Sequence, residues 1–188
     1  MNYIRSTRLW HKLGVIYLDL GYMLLNTFIN HIPAWWLRRL LYKISGIKLG
    51  KHCRIGYGTV IIHPHGIQLG DGCIINEYCH LDGRGGLVIG DHASVSVYSK
   101  LISASHDLQA DDFAYQEHRI VIEDHVFIGA GAIILEGSFL HTGCVIAAGA
   151  VAKGEFEEKV IYAGNPIHKI KDRNSNCNYS LYHEAYFR

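Results

Sequence analysis

Between Leu49 and Ala152 the apolar positions repeat every six residues. Aliphatic side chains stand at Leu49, Ile55 and Ile61, at Leu69, Ile75 and Leu81, and at Ile89, Val95 and Leu101. They resume at Ile122, Ile128, Ile134, Leu140 and Ile146, and the small Ala152 closes the series. Two positions earlier stands a residue that is usually small, such as Cys53, Thr59, Cys73, Ala93, Ser99 or Ala150. Gly, Asp or Asn often follows the aliphatic residue, as in Leu49-Gly50 and Ile75-Asn76. A period of six does not match the 3.6 of a helix, but it fits short strands of period two broken at regular corners. A unit that cannot bury its own apolar face has to stack on its neighbours. Three sixes make one triangular coil, so the pattern predicts an all-β parallel β-helix of about five coils, starting near Leu49, Leu69, Ile89, Ile122 and Leu140.

The coil starts are 20, 20, 33 and 18 residues apart, and each excess follows the third side of its coil. The extra residues therefore leave from one edge of the prism, near His63-Pro64-His65-Gly66, near Asp82-Gly83-Arg84-Gly85-Gly86, and between Leu101 and Ile122. The last gap is 21 residues where six would close the coil, which predicts a projecting loop at about 102–119. Long loops inside compact repeats carry function or are disordered. This one holds Ser105-His106-Asp107 and is read as functional.

Outside the repeat the texture changes. Residues 1–46 carry Arg5, Arg8 and Lys12 ahead of an apolar stretch from Leu13 to Ile32, interrupted by Asp19. The basic start imitates a signal peptide, but a small-residue cleavage site is not evident. Asp19 near the middle makes a full bilayer crossing costly. Pro33 opens a second helix with Trp35, Trp36, Arg38, Arg39 and Lys43. These helices are read as a cap on the open first coil, with peripheral membrane contact as the alternative, and the two are compatible. Residues 47–171 form the β-helix domain, and 172–188 are a polar tail without assigned chemistry.

At 188 residues one principal domain is expected, and a formal net charge of +1 makes no case for nucleic acid. Four of the five Cys occupy the small inward position, where a reduced thiol packs as a small hydrophobe. Without a CxxC motif or an exported disulfide framework, a cytoplasmic location, either free or at the membrane surface, is the expectation.

The repeat, the His-bearing loop and the ending Ala163-Gly164-Asn165-Pro166 resemble the hexapeptide-repeat acyltransferases. Ser105-His106-Asp107-Leu108 with Asp111-Asp112-Phe113 is similar to the capsular and colanic-acid-type sugar O-acetyltransferases, close to the maltose and galactoside enzymes. That resemblance implies a left-handed winding, a homotrimer, acetyl-CoA as acyl donor and a saccharide acceptor, with no metal required. It implies His106 as catalytic base and Asn76 as a ligand of the acceptor hydroxyl. Imidazole titrates near neutrality, which suits removal of a hydroxyl proton during acyl transfer. Asp82, beneath the loop, is read either as a ligand of a sugar hydroxyl or as a turn former. Asp107 is read either as orienting the imidazole or as starting the loop.

For the cofactor the resemblance implies contacts from Gly129, Ala130 and Ala148, whose small side chains admit pantetheine. Lys153 and Lys171, with Lys169 and Arg173, are candidates for its phosphates. Glu136-Gly137 stands where the resemblance implies Pro-Gly and reads as drift in a corner. Three alternatives are carried: acyl transfer to an amino sugar, to serine or to an antibiotic; a zinc enzyme of the carbonic-anhydrase kind; and a silent trimeric scaffold. His63, His65, His118 and His125 do not have the spacing of the zinc enzyme, and the scaffold would lack the His-bearing loop.

Overall fold

In the computed structural model, which describes residues 2–181, the sixes wind into a triangular prism with three parallel walls. The first wall stacks Lys48–Leu49, Ile67–Leu69, Leu87–Ile89, Ile120–Ile122, Phe139–Leu140 and Glu155–Phe156. The second runs from Arg54–Ile55 up to Val160–Ala163, and the third from Val60–Ile62 up to Val151–Ala152. There are five complete coils and two sides of a sixth, slightly more than the sequence predicted. The sixth escapes the count because Ala152 is followed by its next inward residue, Phe156, after only four positions.

The register explains the period. Leu49, Leu69, Ile89, Ile122, Leu140 and Phe156 pair in one column of the first wall. Ile55, Ile75, Val95, Ile128, Ile146 and Tyr162 form a second column. Ile61, Leu81, Leu101, Ile134 and Ala152 form a third. Most of these side chains are wholly enclosed, each contributing about 1.5–3 kcal/mol against exposure. The small positions are equally buried, and their polar members hold the coil above by its corner carbonyl. The Ser99 hydroxyl donates to Gly129 O at 2.9 Å and the Cys79 thiol to Ser96 O at 3.1 Å. All five Cys are free, and burial pushes the Cys79 and Cys144 thiols up to about 12.

The open first coil is plugged by polar side chains. Helix α1 (Asn2–Met23) continues through a π-helical turn at Leu24–Phe28 and a tighter turn at Ile29–His31. There Asn26 accepts from Ile61 N at 2.8 Å and donates to Ile61 O at 2.9 Å, standing in for a missing strand. Asn30 donates to Thr59 O, and Tyr42 donates to Asn30 at 2.8 Å. Helix α2 (Trp35–Ile44) lays Arg38 against Ile55 O and Arg39 against Gly50 O. The two turns and α2 thus lie over the first coil.

At the far end His168–Asp172 turns back antiparallel along Val160–Ala163. The described part of the tail then lies along the corner between the first and second walls. Arg173 donates to His125 O and Gly143 O, both at 2.9 Å. The end of the predicted tail, 182–188, lies outside the described residues.

Candidate active site

The three corners have different characters. Every departure from six falls at the third corner, between the third and first walls, as the sequence predicted. Near approach there demands glycine: a Cβ on Gly66 would sit 1.8 Å from Gly83 O. Above them Asp82 ends a third-wall strand, fully buried. Arg84 grips its carboxylate with Nε and Nη2, each at 2.9 Å, and Ser103 N donates to it at 3.1 Å. Burial alone would raise the Asp82 pKa, but the Arg84 hydrogen bonds outweigh it and hold the group below the usual carboxylate range. Of the two readings of Asp82, these bonds fit the turn former, which anchors the residue where the long loop departs.

That loop is an antiparallel hairpin of Ala104–His106 and Tyr115–Glu117, with His106 opposite Tyr115. His106 is exposed. Its ring stacks on Phe113 at 4.2 Å between centroids and 8° between planes, and Tyr115 meets it edge-on at 5.5 Å. His106 Nδ1 lies 2.9 Å from Phe113 O. A carbonyl only accepts, so Nδ1 carries the proton of the neutral ring and Nε2 keeps its lone pair. Asp107 takes no part in this: its carboxylate accepts from Gln109 N at 2.9 Å, which makes it the residue that starts the turn.

Beneath the hairpin, Glu136 accepts from the Ser105 hydroxyl at 2.9 Å and from Lys153 Nζ at 2.5 Å. Burial opposes ionisation of Glu136, yet the bonds from Lys153 and Ser105 lower its pKa. Glu136 is thus a built part of the loop's footing rather than drift. Lys153, a candidate phosphate ligand from sequence, is an ion-pair partner at this footing, with its side chain still largely exposed. With Gln116, His118 and Gly154 the pair lines a cleft of about 270 Å³ beside the hairpin. Sequence reading missed Arg84 and Glu136. The Asp82-x-Arg84 spacing in a glycine-rich turn was the available signal for the first; the second gave none.

Asn76, Gly129, Ala130 and Ala148 come together elsewhere, on the second corner between the second and third walls. Asn76 donates to Val95 O at 3.1 Å and is half-buried. Along this ridge the lower coils carry Tyr57, Tyr78 and Tyr98, the last two stacked 5.5 Å apart. The next coils bear only Ala130-Gly131 and Ala148-Gly149, and a Cβ on Gly131 or Gly149 would meet nothing within 4 Å. The ridge therefore drops to bare backbone at the residues assigned to pantetheine. Gly129 itself is buried, and a Cβ there would strike Ala148 N at 2.4 Å. Lys171 is exposed on the terminal strand, while Lys169 pairs with Glu157 at 3.0 Å. Arg173 is engaged by the tail. Within one chain, His106 and the Asn76 ridge stand on opposite edges of the third wall. Among the described residues, no group of three His, Cys, Asp or Glu stands where it could hold a metal.

The hexapeptide repeat of succinyl-transferase matches residues 46–76 and 119–151, the repeats on either side of the loop. The chain is 27% identical over 136 residues to the putative colanic acid biosynthesis acetyltransferase WcaF of Escherichia coli, across 72% of this chain and 75% of that one. Its fold is that of a hexapeptide-repeat-containing acetyltransferase of Vibrio cholerae solved with acetyl coenzyme A, with TM-score 0.78 and 24% identity over 86% and 90% of the two chains. A maltose O-acetyltransferase of Clostridium difficile superposes with TM-score 0.73 at 21% identity, over 85% and 86%. The chain therefore carries hexapeptide repeats in the two matched segments and has the β-helix fold of these solved acetyltransferases.

Proposed function

We propose that this protein is an acetyl-CoA-dependent O-acetyltransferase that acetylates a saccharide hydroxyl, in the cytoplasm, during the making of a surface polysaccharide. The observation that carries the reading is the state of His106: a ring fixed at Nδ1 by Phe113 O, clamped between aromatic side chains, with Nε2 free to accept a proton. The acceptor O–H gives its proton to Nε2 as its oxygen forms a bond to the thioester carbonyl carbon. The tetrahedral intermediate then collapses, the C–S bond breaks, and the coenzyme A sulfur takes the proton from the imidazolium. The Phe113 carbonyl holds the ring in place through its Nδ1–H throughout.

The separation of His106 from Asn76 and the bare ridge at Ala130 and Ala148 supports a homotrimer. A hairpin from one copy, whose tip exposes Leu108 and Phe113, would meet the second corner of its neighbour. There Asn76 would hold the acceptor, and the exposed ridge would take pantetheine. Lys171 remains a candidate for the phosphates. The relative named for colanic acid biosynthesis supports a saccharide acceptor.

Free-thiol release from acetyl-CoA, measured against simple sugars, nucleotide sugars and capsule oligosaccharides, tests this reading. An ester product is cleaved by hydroxylamine and an amide is not, which separates O- from N-acetylation. No thiol release with any saccharide, or unchanged turnover in His106→Ala, overturns it.

A further inference from the structure

The helical end of the molecule is built inside out. Helix α2 turns Arg38, fully buried, toward the prism and presents Trp36, Leu40 and Ile44 to solvent, at 62%, 51% and 71% exposure. A helix of a soluble protein does the reverse. Over the second half of α1 every described side chain is exposed. Ile16, Leu20 and Leu24 lie along one side and Leu18 and Tyr22 along the other, all exposed. Lys12 and Asp19, seven residues apart, leave the helix one polar side, and the apolar remainder needs a surface to lie on.

Charge tells what kind of surrounding. Residues 1–70 hold nine Lys and Arg against a single acid, Asp19. The whole chain has 18 Lys and Arg against 17 acids, so the remainder keeps nine cations for sixteen acids. Lys12, Lys43, Lys48 and Lys51 are exposed at the helical end. Beside α2, Trp35, Arg39, Lys51, His52 and Cys53 line an open cleft of about 480 Å³ that contains no carboxylate. Exposed tryptophan and lysine on one apolar surface match the boundary between acyl chains and headgroups.

By composition Lys12–His31 is long enough to cross a bilayer. Geometry says otherwise, because Asn26 and Asn30 are hydrogen-bonded to the first coil. Ahead of Asn26, Arg5, Arg8 and Lys12 confine the apolar part of the helix to Leu13–Leu24, about 18 Å against a hydrocarbon core of about 30 Å. We propose that α1 and the outer face of α2 dock the protein on one leaflet of an anionic lipid bilayer, with α1 lying in the headgroup boundary rather than spanning. This does not depend on the acetyl-transfer reading.

Flotation with vesicles tests it. The full chain binds vesicles of phosphatidylethanolamine and phosphatidylglycerol, binds phosphatidylcholine vesicles more weakly, and loses affinity as salt rises. Leu20→Glu with Ile44→Glu lowers binding roughly tenfold or more. Ile170→Glu, at the far end, leaves it intact. With Trp10→Phe and Trp35→Phe in place, emission from Trp36 is quenched by brominated acyl chains. Absence of flotation by the full chain overturns the proposal, as does equal flotation of the double glutamate variant. A fall in oligomer mass of that variant without lipid, read by light scattering, overturns it in favour of contact between copies. Thiol release by the double variant, assayed with a soluble acceptor, stays at its starting level, so failure here is distinct from failure of the catalytic reading.

Discussion

The first and third corners of the prism are made from the same repeat and have opposite uses. At the first corner, between the first and second walls, the step is six residues in every coil. Asp71, Asp91 and Asp124 form a ladder there, each accepting the backbone N–H of the coil before it at 2.7 Å. The following residues, His52, Gly72, His92, His125, Gly143 and Lys159, take positive φ one above another. The third corner has steps of 8, 8, 21, 6 and 4. One edge is held in register by repetition, which frees the other to accept insertions without disturbing the walls. The long hairpin stands on that free edge, on a footing made by Asp82, Arg84, Glu136 and Lys153.

If the comparison is right, damage at the third corner separates activity from stability, and damage to the walls does not. The largest expected effect is for His106→Ala, a loss of about 10²–10⁴-fold in turnover with the thermal midpoint unchanged, measured by thiol release and circular dichroism. Ile128→Ala, in the second-wall column, costs about 2–5 kcal/mol by urea titration, and turnover falls only as the folded fraction falls. Asp82→Ala lies between the two. Leaving Ser103 N–H buried without its acceptor costs about 1–3 kcal/mol. Because Ser103 begins the hairpin, the folded protein also loses turnover. A stable, fully active Asp82→Ala protein would remove the footing from the account.

The smallest effect belongs to the first corner and to pH. His125 stacks on His92 at 5.3 Å and edge-on to Tyr179 at 5.0 Å, beneath the tail. Burial, with the charges of His92 and Arg173 against it, lowers the His125 pKa, while Asp124 and Asp91 oppose the shift. A lowered imidazole pKa means the undocked state binds the proton more readily. Stability of the docked tail is therefore present above the ordinary imidazole value and declines as pH falls below it. Hydrogen exchange at residues 173–181 should show lower protection at about pH 5.5 than at about pH 7.5, after correction for intrinsic rates. At a fixed pH of about 7.5, Tyr179→Ala should lower that protection and leave turnover unchanged, since the tail and the hairpin occupy different corners.

The walls were legible because a parallel β-helix writes its register directly into the sequence: inward residues six apart pair with one another, and Ile55, Ile75 and Val95 could be placed before any coordinate was known. The same logic located the hairpin as a surplus at one edge. It could not find the footing, since Glu136 meets Ser105 and Lys153 only after the coils stack, and side-chain pairing across 31 and 17 residues has no period. The pairing of Asp82 with Arg84 was hidden because a carboxylate in a glycine-rich turn looks the same whether it faces solvent or an arginine. Lys153 likewise gives no sign in sequence of the buried acid with which it pairs.

A stack of parallel rungs has no natural ending, and an uncovered last rung is a template on which another copy can add its first. The amides of Asn26 and Asn30 and the guanidinium groups of Arg38 and Arg39 occupy the bonding positions that an incoming rung would need. The reversed strand at His168–Asp172 runs the wrong way to continue the wall it covers. The first end is thereby closed to growth, and at the far end so is the second wall.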